Sequence, residues 1–178
     1  NKRTELGQDV TDREMAAALT ILRHMMASIV RRQADHAGTQ ELKDVLWSMA
    51  TLGFGLSSSQ EHTGNNYLIL KSDRRLEDSQ LMVETVDIVV QRSIRMLPKF
   101  LSQELNNIAW ALARLLRNNN NVTDTIGLRV QKLLRGIGEQ LADPRRDVKS
   151  QDIGTTLWGM AHLEFFDGLV ERRVVELA

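Results

Sequence analysis

Apolar residues recur every three or four positions along most of this chain, the spacing that lines one face of an α-helix. From Glu14 to Arg32 the stripe is Leu19, Leu22, Met26, Ile29 and Val30. From Leu81 to Leu97 it is Val86, Val89, Val90 and Ile94, and Pro98 then stops the helix. From Thr125 to Leu141 it is Val130, Leu133, Leu134 and Ile137. Each amphipathic stretch is followed by a second, denser one, and these second stretches resemble one another.

The three tryptophans expose the likeness. Residues 39–52 read TQELKDVLWSMATL, residues 102–115 read SQELNNIAWALARL, and residues 150–163 read SQDIGTTLWGMAHL. Their shared pattern is [ST]-Q-[ED]-[LI]-x-x-x-[LA]-W-x-[ML]-A-x-L. Gln40, Gln103 and Gln151 each stand seven residues before Trp47, Trp110 and Trp158. These six residues anchor the repeat. Ser or Thr is a preferred N-cap, so each copy is expected to start a helix there. The acid two residues later, Glu41, Glu104 or Asp152, then faces the positive end of the helix dipole.

The next positions predict a helix apolar on two sides. Leu42, Val45, Leu46 and Met49 lie on one side of the first copy, and Trp47, Ala50 and Phe54 on another. The third copy repeats this with Ile153, Leu157 and Met160 against Trp158, Ala161 and Phe165. A helix inside a stack needs two such faces, one for its hairpin partner and one for the next repeat. Ala50, Ala113 and Ala161 would permit close helix approach beside the indole.

The expected fold class is therefore all-α, an α-solenoid of stacked helix-turn-helix repeats with three recognisable copies and a partial fourth. Residues 1–178 form one helical-repeat domain. Repeat 1 spans about 12–54, an insertion loop about 55–79, repeat 2 about 80–117, repeat 3 about 123–165 and a partial repeat 4 about 166–178. The Trp-to-Trp spacings of 63 and 48 residues require insertions. Residues 53–79 are rich in Ser, Gly, Asn and charge. Asn118–Asn121 is a four-Asn tract, expected as a flexible turn and a helix entry, and residues 143–147 read as a polar connector. The chain begins at Asn1, and its fourth unit stops without a polar cap; both lead to the expectation of a segment of a longer protein.

Composition narrows the choice. Only two prolines and 4% aromatic residues favour helices over a β-sandwich. The absence of cysteine excludes disulfides and thiolate metal sites. No apolar run approaches a membrane span. Net charge is zero, which weighs against a simple cationic nucleic-acid binder. Within that balance, 17 of the 23 basic residues are Arg, either codon preference or a supply of planar forks for phosphate and base edges.

The segment MLPKFLSQELNNIAWALARL, Met96 to Leu115, resembles the signature of octatricopeptide repeat proteins. It is similar too to the helical repeats found beside RAP domains in organellar proteins. The copies at Gln40 and Gln151 match less fully. The resemblance implies an α-solenoid that binds single-stranded RNA in a mitochondrion or chloroplast, supporting RNA processing, splicing, stability or translation. Some relatives are subunits of organellar ribosomes, so the expected partners are single-stranded or ribosomal RNA and other protein subunits of an organellar particle. Neutral charge and long insertions suit the alternative, a protein-protein scaffold within such a particle.

In related helical-hairpin solenoids the first helix of each unit lines the concave surface. By that analogy the RNA-binding candidates are Arg23, Arg31 and Arg32, then Gln91, Arg92 and Arg95. Arg129, Lys132 and Arg135 follow, and the partial unit offers Arg172 and Arg173. Repeated Arg would form a ladder beside a phosphate backbone. The other reading is a solvated helix face, and Glu84, Asp87 and Glu139 on the same helices would offset the field. Indoles stack on bases, but Trp47, Trp110 and Trp158 are expected in the core, among Leu, Met and Ala at a fixed helical register.

Nothing points to catalysis. His24, His36, His62 and His162 form neither H-E-x-x-H nor any metal-ligand spacing. His162-Leu163-Glu164 carries the H-x-E of a zinc deaminase, but its cysteine partners do not exist here. Gly53-Phe54-Gly55 lacks the rest of a dinucleotide loop. The sequence implies no enzyme, no cofactor and no metal.

Overall fold

A computed structural model describes residues 2–54, 75–116, 120–165 and 168. Its elements are α1 (Lys2–Gln33), α2 (Thr39–Thr51), α3 (Arg75–Met96), a 3-10 turn (Leu97–Lys99), α4 (Ser102–Leu116), α5 (Asn120–Ala142) and α6 (Ser150–His162). Among the described residues there is no strand. The insertion loop lies almost wholly outside them, as do Arg172, Arg173 and most of the partial fourth repeat. The four-Asn tract is only partly described; α5 begins at Asn120, so the expected helix entry falls within the tract.

Neighbour relations sort the helices into two sets. α1 packs on α3 and α3 on α5, while α2 packs on α4 and α4 on α6. The sets are joined where α2 meets α3 and α4 meets α5. α4 lies between two helices of its own set, and ten of its fifteen residues are buried, against four in α2 and five in α6. α3 is buried in the same way, with Val86, Val89 and Val90 fully enclosed. Burial of such side chains contributes about 1.5–3 kcal/mol each.

Helix starts differ in detail from the expected cap. Thr39, Ser102 and Ser150 open α2, α4 and α6, but Gly38 and Lys149 hold the extended N-cap positions of α2 and α6. No side chain caps either helix by accepting from its first turn. In α4 and α6 the acid of the signature closes the helix mouth instead. Leu101 N–H donates to Glu104 Oε2 at 2.8 Å, and Lys149 N–H donates to Asp152 Oδ2 at 3.1 Å. The hydroxyls are then available to the next repeat: Thr39 Oγ1 donates to Glu104 Oε1 at 3.3 Å, and Ser102 Oγ donates to the Asp147 carbonyl at 2.8 Å. Asn106 likewise donates its amide to the buried Asp152 carboxylate. Glu104 and Asp152 so tie their own helix starts to the preceding repeat.

Helix ends repeat as well. Gly53 has φ 70° and Glu164 has φ 53°, each six residues after its Trp. Phe54 N–H reaches the Met49 carbonyl at 3.0 Å and Phe165 N–H the Met160 carbonyl at 2.9 Å. This is a Schellman termination, with the aromatic folded back on the helix end.

Candidate functional site

The expected core position of the tryptophans is corrected by the structure. Trp47 is 46% exposed and Trp158 39% exposed, while Trp110 is half-buried. The second apolar face divides: in α2, Ala50 and Phe54 turn inward and the indole turns out. Gln40, Gln103 and Gln151 are all exposed. Seven residues make nearly two turns, so each Gln stands on the same face as its Trp. Ala161 is exposed where Ala50 and Ala113 are buried, because no described helix lies beyond α6. The exposure had a readable signal. Three and four residues before each Trp stand Asp44 and Lys43, Asn107 and Asn106, or Thr155 and Gly154, and four residues after it stand Thr51, Arg114 or His162. Those neighbours share the indole's face, and none is a large apolar residue.

α2, α4 and α6 border a groove of about 770 Å³. Trp47 and Trp110 supply its indoles, and Phe100 lines it too. Gln103, Asn107 and Gln151 supply amides, and Thr155 a hydroxyl. Lys99, Arg146 and Lys149 bring positive charge, and Asp147 and Asp152 partly offset it. Arg146 also fixes the rim, donating to the Phe100 carbonyl at 2.7 Å and the Pro98 carbonyl at 3.1 Å. Beside it, Arg145 grips Asp143 with two guanidinium nitrogens, at 2.9 and 2.7 Å. That fork, helped by the Arg145 N–H, holds the Asp143 carboxyl at about 2, below its ordinary 3.8, and raises the Arg145 pKa. The indoles carry further polar neighbours. The Arg114 guanidinium lies 5.6 Å from the Trp110 ring centre, and the His162 ring lies 3.9 Å from that of Trp158.

No family model, curated protein or solved structure matches this chain. The chemistry of the face therefore has to be read from its own residues. Indole surfaces beside amides suit flat ligands that both stack and hydrogen-bond. Among the described residues no cluster of His, Cys, Asp and Glu has metal-binding geometry. Nor is any described helix long and apolar enough to cross a membrane.

The arginines of the first helices are placed differently. Arg31 pairs with Glu84, Arg95 with Asp35 at 3.2 Å, and Arg129 with Asp87 at 2.7 Å. Two pairs join neighbouring helices of the α1–α3–α5 set, and Arg95 ties α3 to Asp35 in the turn after α1. Gln91 donates to Asp87 at 2.8 Å, and Arg32 Nε donates to the Ser28 carbonyl at 3.2 Å. Arg23 lies over the Phe54 ring at 4.9 Å, and Arg92 is partly buried. Lys132 and Arg135 are exposed on α5. The structure thus places Arg31, Arg95 and Arg129 in ion pairs between neighbouring segments, and puts the indoles and amides on α2, α4 and α6.

Proposed function

We infer that this chain is an α-solenoid of helical hairpins that holds single-stranded RNA inside a mitochondrion or chloroplast, serving RNA processing, stability, splicing or translation. The observation that carries it is the recurrence of an exposed Gln and a half-buried or exposed Trp on three successive second helices, with Trp47 and Trp110 lining one groove together with Gln103 and Gln151. Every base offers a π-face, so indoles receive successive bases without demanding one sequence, at about 1–3 kcal/mol per base. Amides from Gln103, Asn107 and Gln151 can pair with base edges, and Lys99 and Lys149 sit where phosphates would pass. The solenoid reading is supported by the contacts of α1 with α3 and α3 with α5, and of α2 with α4 and α4 with α6. The organelle rests on the resemblance of the repeat signature.

The test is fluorescence anisotropy with unstructured RNA of mixed sequence. Trp47→Ala combined with Trp110→Ala is expected to weaken binding at least about tenfold, since two stacking surfaces are lost. Absence of binding to any single-stranded pool would sink the reading. A second reading is a protein scaffold in an organellar ribonucleoprotein particle. The pairing of Arg31, Arg95 and Arg129 with carboxylates favours it, because a neutralised face suits protein neighbours. Partners that stay bound after nuclease treatment would support this one.

A further inference from the structure

α1 is covered on one side. Ala27 and Val30, with Ala34 just past its end, form its buried seam, and Arg31 reaches across to Glu84 of α3. About half a turn round the helix runs a second stripe that no described element covers. It carries Glu14, Ala18, Ile21, Met25 and Arg32, all exposed, with Ile21 at 60% and Met25 at 56%. Their spacings of four, three, four and seven keep them on one line for about 27 Å. Large apolar side chains aligned in this way mark a contact surface more often than scattered ones do.

The order along the stripe names its occupant. An acid stands at one end, a base at the other, and apolar residues between. We propose that α1 pairs antiparallel with α1 of a second copy of this chain, about a two-fold axis near residue 23. In that register Ile21 faces Met25 of the partner subunit, and Met25 faces the partner's Ile21. Glu14 then faces Arg32 of the partner subunit, and the pair occurs twice by symmetry. A parallel pairing would set Glu14 against its own copy and Arg32 against its own, so like charges exclude it. Antiparallel alignment also opposes the two helix dipoles favourably. One helix face is a small interface, so the dimer is weak and forms with rising concentration. This surface lies on α1 and does not depend on the RNA reading.

Sedimentation of the 178-residue chain across a concentration series tests the pairing. Wild type is expected to shift from monomer to dimer. Glu14→Arg alone and Arg32→Glu alone should each raise the dissociation constant about tenfold, because a swap turns both symmetric ion pairs into like-charge contacts. Combining them should restore wild-type dimerisation to within about threefold. Both positions are exposed, and unchanged thermal melts confirm that the variants fold. Register is tested separately, since the chain has no cysteine of its own. A mixture of Ile21→Cys and Met25→Cys chains, treated with a short bis-maleimide, should cross-link to each other more than either does to itself. A chain that stays monomeric throughout overturns the proposal. So does a dimer indifferent to both charge swaps, or cross-linking without preference.

Discussion

Gly159 and Gly154 lie five residues apart on α6 and answer to different constraints. A Cβ at Gly159 would stand 2.8 Å from the Ala109 carbonyl oxygen and 2.9 Å from its carbon. Those are backbone atoms of α4, which cannot swing away as a side-chain tip can. The absence of a Cβ is what lets α6 approach α4 at that point. A Cβ at Gly154 would meet nothing within 4 Å. In a free helix, Gly→Ala stabilises by about 1 kcal/mol at either site. Only at Gly154 can that gain be realised, so Gly154→Ala should raise stability by about 0.5–1 kcal/mol. At Gly159 overpacking costs about 1–3 kcal/mol and outweighs the propensity gain. Gly159→Ala should therefore lower the denaturation midpoint while Gly154→Ala raises it. Equal responses in urea titrations would show that α4 and α6 are not in backbone contact there.

At the scale of elements, the chain ends α2 and α6 by one device with two different residues. Gly53 takes the left-handed conformation without cost, whereas Glu164 adopts it with a Cβ. A non-glycine residue there loses about 1 kcal/mol. Glu164→Gly should recover most of this, and Gly53→Ala should lose a similar amount; calorimetric melts of opposite sign would confirm it. The equivalence was partly legible, since Leu52-Gly53-Phe54 and Leu163-Glu164-Phe165 both follow the signature directly. Much of the helical pattern was legible for the same local reason. Three- and four-residue periodicity identified α1, α3 and α5, Pro98 marked the close of α3, and Ser or Thr marked where α2, α4 and α6 begin. What local pattern missed was the use of those hydroxyls. Thr39 and Ser102 bond to partners 65 and 45 residues away. No rule of capping within one helix anticipates that.

For the molecule as a whole, the division between the ion-paired face of the first helices and the indole-bearing face of the second helices was the least legible feature. Arg31, Arg95 and Arg129 find carboxylates 53, 60 and 42 residues distant in sequence. From the chain alone such residues are indistinguishable from an open cationic ladder. The tryptophans misled in the other direction, because a large aromatic beside Leu, Met and Ala resembles core until its polar neighbours at three and four residues are counted. The two surfaces imply different dependence on salt. RNA seated in the α2–α4–α6 groove meets Lys99, Arg146 and Lys149, with Asp147 and Asp152 nearby. Each phosphate contact on a single strand contributes about 0.7 to the slope of log affinity against log salt, so three cations give at most about −2. RNA lying instead along α1, α3 and α5 would have to displace Glu84, Asp35 and Asp87 from their arginines and would engage Lys132 and Arg135 as well. That mode gives a steeper slope, near −3.5 for five cations. It would also be weakened by Arg129→Ala, whereas the groove mode would not. A shallow slope together with loss of binding in Trp110→Ala places the strand on the second helices. A steep slope that survives Trp110→Ala places it on the first, and the indoles would then need another ligand.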